Sequence, residues 1–249
     1  MLDIINVSKN FGGLSALDKV TFQVKEKQIY GLIGPNGAGK TTLFNLITGF
    51  LPATDGSIQF LGNELTKLRA HRIAKMGIAR TFQNVRLFGN MTVMENVLVA
   101  QNIRARSGVT SLIRLGSASE RRLKEEANAL LNQMGLWEKR REQSVSLAYG
   151  EQRRLEIARA LALEPGLLLL DEPAAGMNEA ETEDLLDRIS DIRNMGKTIF
   201  LIEHDMNVVM GICDYISVLN FGKLIAQGAP DGIQANEAVI EAYLGSEEE

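Results

Sequence analysis

Gly34-Pro35-Asn36-Gly37-Ala38-Gly39-Lys40-Thr41 is a glycine-rich stretch set between two segments of different period. Before it runs QIYGLI (residues 28–33), short, apolar and rich in β-branched side chains; after it runs TTLFNLITG (residues 41–49), apolar at helical spacing and ending in glycine. The glycine stretch therefore joins a strand to a helix. In that setting the pattern G-x-x-x-x-G-K-[ST] makes an anion cradle, because successive loop N–H groups and the positive end of the helix converge on one point. Gly34, Gly37 and Gly39 allow the backbone to curl where a Cβ would clash. Pro35, Asn36 and Ala38 complete the loop and Thr42 continues the first helical turn. Lys40 is placed to lie along the β- and γ-phosphates of a nucleotide, and the Thr41 hydroxyl to ligate Mg²⁺. Chance produces such a pattern in about one chain in a hundred of this length.

The second decisive stretch is LLLL at residues 167–170, bounded by Pro165-Gly166 and by Asp171-Glu172-Pro173. An apolar run too short for a membrane reads as a strand buried on both faces, central in a parallel sheet. Its C-terminal end is where open α/β sheets bind ligands. Asp171 is expected to hold Mg²⁺, directly or through water, and Glu172 to polarise the attacking water. A general base of this kind contributes roughly 10²–10⁴-fold in rate.

With these two motifs on the page, the chain resembles the nucleotide-binding subunit of an ATP-binding cassette (ABC) transporter over nearly its whole length. Gln83 in RTFQN resembles the Q-loop glutamine, residues 147–151 (LAYGE) the LSGGQ signature, and His204 in LIEHDM the switch histidine. Gln83 falls 43 residues after Lys40, Leu147 stands 24 before Asp171, and His204 stands 33 after it, as the family's order requires. Phe11 fits the aromatic that stacks on adenine. Without the family position, Phe11 would read as packing, Gln83 as a surface residue and His204 as structural.

What the resemblance implies is a P-loop NTPase cassette of the α/β class: a RecA-like mixed-sheet core, an N-terminal antiparallel β subdomain and an inserted α-helical subdomain. One nucleotide-binding domain would span residues 1–249, with the helical insert at about 92–162 and a short C-terminal helix at about 237–244. Gln83 would ligate the metal, His204 would bond the γ-phosphate or orient water, and Ala148, Tyr149, Gly150 and Glu151 would cap ATP held by a second ATPase subunit. Transmembrane permease subunits would dock near Gln83, where Val85, Leu87, Phe88 and Met91 cluster, at the cytoplasmic face of the cell membrane.

The signature departs from LSGGQ at Ala148, Tyr149 and Glu151, losing the serine hydroxyl while Gly150 and a helix over residues 152–163 keep the N–H groups and dipole. Asn178 stands where the family's D-loop usually ends in Asp. Both departures resemble ATPases of branched-chain amino-acid importers and imply one half of a heterodimer, with a homodimer open to the chain in isolation. The competing readings are the ATPase of a lipopolysaccharide exporter, disfavoured by LAYGE and the longer insert after Gln101; a soluble ABC protein of translation or DNA maintenance; and a P-loop kinase or GTPase.

Composition bounds the rest. The 249 residues, 45% of them hydrophobic, suffice for one large α/β domain. A net charge of −4 gives no field favouring nucleic acid or anionic lipid. Cys213 is the single cysteine, which excludes an internal disulfide and a cysteine metal cage. No apolar run reaches the ~18 residues of a membrane span, and Met1-Leu2-Asp3 opens without a signal-like segment, so a cytosolic chain with separate permeases is expected. Residues 3–7 and 20–24 alternate as antiparallel strands, residues 206–213 read as a helix, and 215–219 with 223–227 as a hairpin. Arg104, Arg106, Arg114, Arg121, Arg122 and Lys124 form a basic stretch that fits either lipid headgroups or a solvated helix face. The acidic tail 247–249 is expected to be solvated.

Overall fold

The computed structural model describes residues 1–107 and 117–244, without the side chains of 105–107, 117–119 and 244. The chain opens with β1 (Leu2–Phe11), β2 (Leu14–Val24) and β3 (Ile29–Ile33), then α1 (Lys40–Ile47), β4 (Asp55–Phe60), β5 (Asn63–Glu64), α2 (Ala70–Lys75) and β6 (Ile78–Arg80). A helical stretch follows with α3 (Val93–Ser107), α4 (Ser117–Gln133) and α5 (Tyr149–Leu161). Then come β7 (Leu167–Asp171), α6 (Glu179–Asn194), β8 (Thr198–Ile202), α7 (Met206–Ile212), β9 (Tyr215–Asn220), β10 (Lys223–Gly228), α8 (Pro230–Gln234) and α9 (Glu237–Leu244).

Two sheets organise these elements. The antiparallel one runs β2-β1-β4-β5 and contains both expected N-terminal strands; the other runs β10-β9-β3-β8-β7-β6, parallel throughout except for β10 at one edge. All residues of β3, β7 and β8 are buried, as unbroken apolar strands covered on both faces must be. Burying Leu167, Leu168, Leu169 and Leu170 completely stabilises the sheet by roughly 1.5–3 kcal/mol per side chain, an upper bound set by an extended unfolded chain. Between the sheets, Phe22 stacks on Tyr30 at 5.4 Å between ring centroids, and Phe44 meets Phe200 edge-on at 4.9 Å. These rings lock α1 and the β1–β2 hairpin against the parallel sheet.

Strand register positions the site. Leu32 in β3 pairs with Ile202 in β8, and Ile202 pairs with Asp171 in β7. The glycine loop, the Asp171-Glu172 pair and the Glu203-His204 pair therefore leave the sheet at one level of one edge. The β9–β10 turn closes on Phe221 and Gly222, both at positive φ (43° and 75°), as a two-residue hairpin demands.

Two sequence readings are corrected and a third is narrowed. The helix expected from Gln152 begins at Tyr149 and ends at Leu161, because a Glu three residues beyond Ala148 caps it earlier. The helix expected over 206–213 ends at Ile212, with Cys213 extended and buried. The basic stretch is neutralised: Arg121, Arg122 and Lys124 pair with Glu125, Glu126 and Glu120 along α4, and Arg104 pairs with Glu126 and Glu164. Of the readings left open, these pairs favour the solvated helix face. The Arg106 side chain, Arg114 and residues 247–249 lie outside the described set. Among the described residues no helix is long and apolar enough to cross a membrane.

Candidate nucleotide site

The loop after β3 folds as the sequence predicts. Gly34 has φ +147° and Gly39 +103°; a Cβ on the first would fall 2.0 Å from the Leu219 carbonyl oxygen, and on the second 2.7 Å from that of Ala16. Only glycine lets the loop press this closely on β2 and β9. The turn after β9 braces it further, with Gly222 N–H donating to Ala38 O at 3.1 Å. The Lys40 ammonium donates to Gly34 O (2.5 Å) and Pro35 O (3.0 Å) and is buried. Burial lowers its pKa, and the nearby Glu172 and Asp171 carboxylates oppose that shift. Asn36, Gly37 and Thr41 are exposed, Thr42 is half-buried, and Gly39 caps α1 with no side-chain bond, which leaves the first-turn N–H groups open to an anion. Phe11 sits at the tip of the β1–β2 hairpin, 45% exposed, with Lys9 Nζ 4.9 Å above its ring.

Across the edge, Glu172 takes the left-handed region (φ +48°), an uncommon state for a non-glycine residue, held by its N–H bond to Ile202 O. Its carboxylate accepts from Gln83 Nε2 at 2.9 Å and lies 3.9 Å from His204 Nδ1. Gln83, Glu172 and His204 are thus brought together, with the Gln83 amide oxygen still available. Thr41, Gln83 and Asp171 share one cleft of about 400 Å³ with Asn45, Arg80 and Phe82. A hydroxyl, an amide carbonyl and a carboxylate are hard oxygen donors, a set that fits Mg²⁺ with nucleotide phosphates rather than a soft metal.

The signature lies apart from this cluster, at the start of α5. Ala148 is the N-cap; its methyl group offers no acceptor, but its N–H donates to Glu151 Oε2 at 3.2 Å. Glu151 also holds Lys139 at 2.7 Å. The exposed Tyr149 ring lies against Gly176, and Gly150 faces Glu181, so the signature packs on the D-loop. Asn178 accepts from Glu181 N at 3.0 Å while Glu181 accepts from Asn178 N at 3.1 Å, a full capping box on α6.

Four functional side chains escaped the sequence reading. Arg80 pairs with Asp171 at 2.6 Å. Arg153, buried in mid-α5, donates to Phe82 O at 2.5 Å and to Gln83 O, while Glu156 accepts from Arg86 N at 3.1 Å. This pair clamps the Q-loop backbone to the signature helix; burial pushes the Glu156 pKa up. Glu203, also pushed up by burial, accepts from Ala174 N at 2.9 Å and His204 N at 3.3 Å, tying the D-loop to the switch histidine. The signal for Arg153 and Glu156 was charge at i, i+3 interleaved with Leu155, Ile157 and Ala158; for Arg80 and Glu203 it was a charge directly flanking a motif.

Among known proteins, the family model described as ABC transporter matches residues 17–175, and that of the branched-chain amino acid ATP-binding cassette transporter matches residues 223–249. The high-affinity branched-chain amino acid transport ATP-binding protein LivG of Salmonella typhimurium is 48% identical over 250 residues, covering 98% of each chain. BraF of Pseudomonas aeruginosa, of the same description, is 47% identical over 249 residues and 98% of each chain. The ADP conformation of MJ1267, an ATP-binding cassette of an ABC transporter, superposes with a TM-score of 0.87 at 32% identity over 98% of each chain. The dimeric bacterial ABC transporter cassette MJ0796 gives a TM-score of 0.79 at 26% identity, covering 92% of this chain and 99% of that one. On these grounds, and with its loop, carboxylates and histidine gathered at one sheet edge, the chain belongs to the ABC transporter ATP-binding proteins.

Proposed function

We propose that this ATPase powers an importer of branched-chain or other hydrophobic amino acids, at the cytoplasmic face of the cell membrane, through separate permease chains. The observation that carries the catalytic part is the meeting of Gln83, Glu172 and His204 beside the Lys40 loop. The likeness to LivG and BraF along the whole chain supports the substrate class.

In this reading the loop N–H groups and Lys40 hold the β- and γ-phosphates, with Phe11 against adenine. Thr41, Asp171 and the Gln83 amide oxygen would hold Mg²⁺, which would supply positive charge against the phosphates. Glu172, oriented by the amide of Gln83, takes a proton from the attacking water, and His204 donates to the γ-phosphate. The start of α5, from Ala148 to Glu151, lies outside this cluster and completes the site of a second ATPase chain, which the departures from LSGGQ mark as non-identical. The dimeric form of the similar cassette supports a two-chain sandwich. Closure reaches the permease through the clamp of Arg153 and Glu156 on the Q-loop. Phe88 and Met91 stand exposed there, while Leu87 packs inward.

The test is a tagged pull-down from mildly solubilised membranes, with the co-purifying chains identified by mass spectrometry. Two multi-span permeases and a second ATPase are expected, along with loss of saturable leucine, isoleucine and valine uptake when this chain is deleted. Lipopolysaccharide-export components, or ribosomal proteins with no permease, would overturn the reading.

A further inference from the structure

Arg80 occupies a place that neither the glycine loop nor the carboxylate pair explains. It ends β6, three residues before Gln83, and its side chain is 6% exposed. One guanidinium nitrogen meets Asp171 Oδ2 at 2.6 Å; the other donates to Asn45 Oδ1 on α1 at 2.7 Å and to Thr48 Oγ1 at the C-cap of α1 at 3.3 Å. Its carbon lies 5.5 Å from the centroid of Phe44 and 5.3 Å from that of Phe82, while Nε is buried without a hydrogen-bond partner. One cation thus ties together the helix that begins at Lys40, the strand that ends at Asp171 and the segment that leads to Gln83. Lys40, the other buried cation nearby, spends its hydrogen bonds on loop carbonyls.

We propose that Arg80 is a positioning residue that makes cation binding at Asp171 conditional on nucleotide. The inference rests on the reading of Asp171 as a Mg²⁺ ligand. Desolvated, the Asp171 carboxylate needs a positive partner, and Arg80 supplies it permanently. The guanidinium engages one carboxylate oxygen, leaves the other for a metal and repels any divalent ion that approaches. Mg²⁺ alone meets a carboxylate already neutralised. Mg²⁺ carried with ATP phosphates brings enough negative charge to outweigh the repulsion, and after hydrolysis and phosphate loss the same repulsion favours its release. An opposite charge within about 4–6 Å changes a carboxylate's affinity for a proton by roughly 1–3 powers of ten, and a divalent ion feels at least as much.

The experiment is a Mg²⁺ titration followed by thermal unfolding, with and without the non-hydrolysable analogue AMP-PNP, on wild type, Arg80→Gln and Arg80→Lys. Wild type is expected to respond to Mg²⁺ only with AMP-PNP. Arg80→Gln is expected to unfold lower in buffer alone, by about 5–10 °C for a broken buried pair. It should then recover with Mg²⁺ alone, at concentrations that leave wild type without AMP-PNP unchanged, and with AMP-PNP its half-effect Mg²⁺ concentration should fall at least about tenfold below that of wild type. Arg80→Lys, which keeps the charge, is expected to stay within about twofold of wild type. Asn45→Asp leaves Arg80 in place but offsets its charge, so it shifts the Mg²⁺ response in the same direction even if Arg80→Gln does not fold. An equal drop in melting temperature under all conditions, with unchanged Mg²⁺ dependence, would overturn the proposal and leave Arg80 a packing residue. Adding Asp171→Asn to either variant should abolish the Mg²⁺ response; its survival there would instead refute Asp171 as the cation ligand.

Discussion

The two helix N-termini that the proposed function assigns to phosphate are built differently. The start of α1 is led by Gly39 with no capping side chain and carries Lys40, so its N–H groups face the cleft unopposed. The start of α5 also lacks a capping side chain on its first-turn N–H groups, but it carries an acid there: Glu151 accepts the Ala148 N–H and pairs with Lys139. Both present the same dipole, yet a carboxylate in the first turn of α5 offsets part of its positive end. An anion reaching α5 therefore meets the charge of Glu151, which Lys139 partly balances. In the proposed reading, α1 would form the tight, general half of the nucleotide site and α5 the tunable, partner-dependent half.

The comparison can be broken most forcefully at the carboxylate pair beside α1. Glu172→Gln should retain ATP binding while hydrolysis falls roughly 10²–10⁴-fold, read by single-turnover phosphate release; an unchanged rate would remove Glu172 from the chemistry. Lys40→Ala should weaken ATP about 10- to 100-fold in an equilibrium titration, the loss of charge-assisted hydrogen bonds worth roughly 1.5–3 kcal/mol. At the other helix the effect runs the opposite way. Restoring a hydroxyl and removing the acid, Ala148→Ser with Glu151→Gln, should tighten ATP-driven association about two- to tenfold, as one neutral hydrogen bond allows. A weakened association would mean that Glu151 assists phosphate rather than opposing it. Smallest of all, Asn178→Ala should lower the melting temperature by about 2–4 °C through the lost cap on α6, leaving ATP affinity unchanged.

Much of this was legible because it is local. The residues of Gly34–Thr41 dictate their own turn, the four leucines before Asp171 dictate a buried strand, and Phe221-Gly222 dictates a hairpin. The mixed-sheet core and the helical block were expected from the resemblance to the ABC family. What stayed hidden depends on contacts across long sequence separations. Arg80 and Asp171 are 91 residues apart, and Arg153 and Phe82 are 71 apart. Their partnership comes from the β6–β7 pairing and from the packing of α5 on the Q-loop, which no local pattern encodes. The start of α5 was misplaced for a physical reason too: Tyr149 and Gly150 are poor helix formers, and the Glu151 cap overrides them. The basic stretch stayed ambiguous because its acids at i+4 or i−4 were not weighed against it.

The account's central claim is that this chain holds two halves of two different sites, so that ATP hydrolysis needs a second chain. The most direct measurement is specific ATPase activity of the purified chain against its own concentration at saturating Mg²⁺ and ATP. Activity per chain should climb with concentration, as α5 of one copy reaches the Lys40 loop of another. A specific activity that stays constant on dilution would contradict the account, because it would mean that one chain completes the site alone.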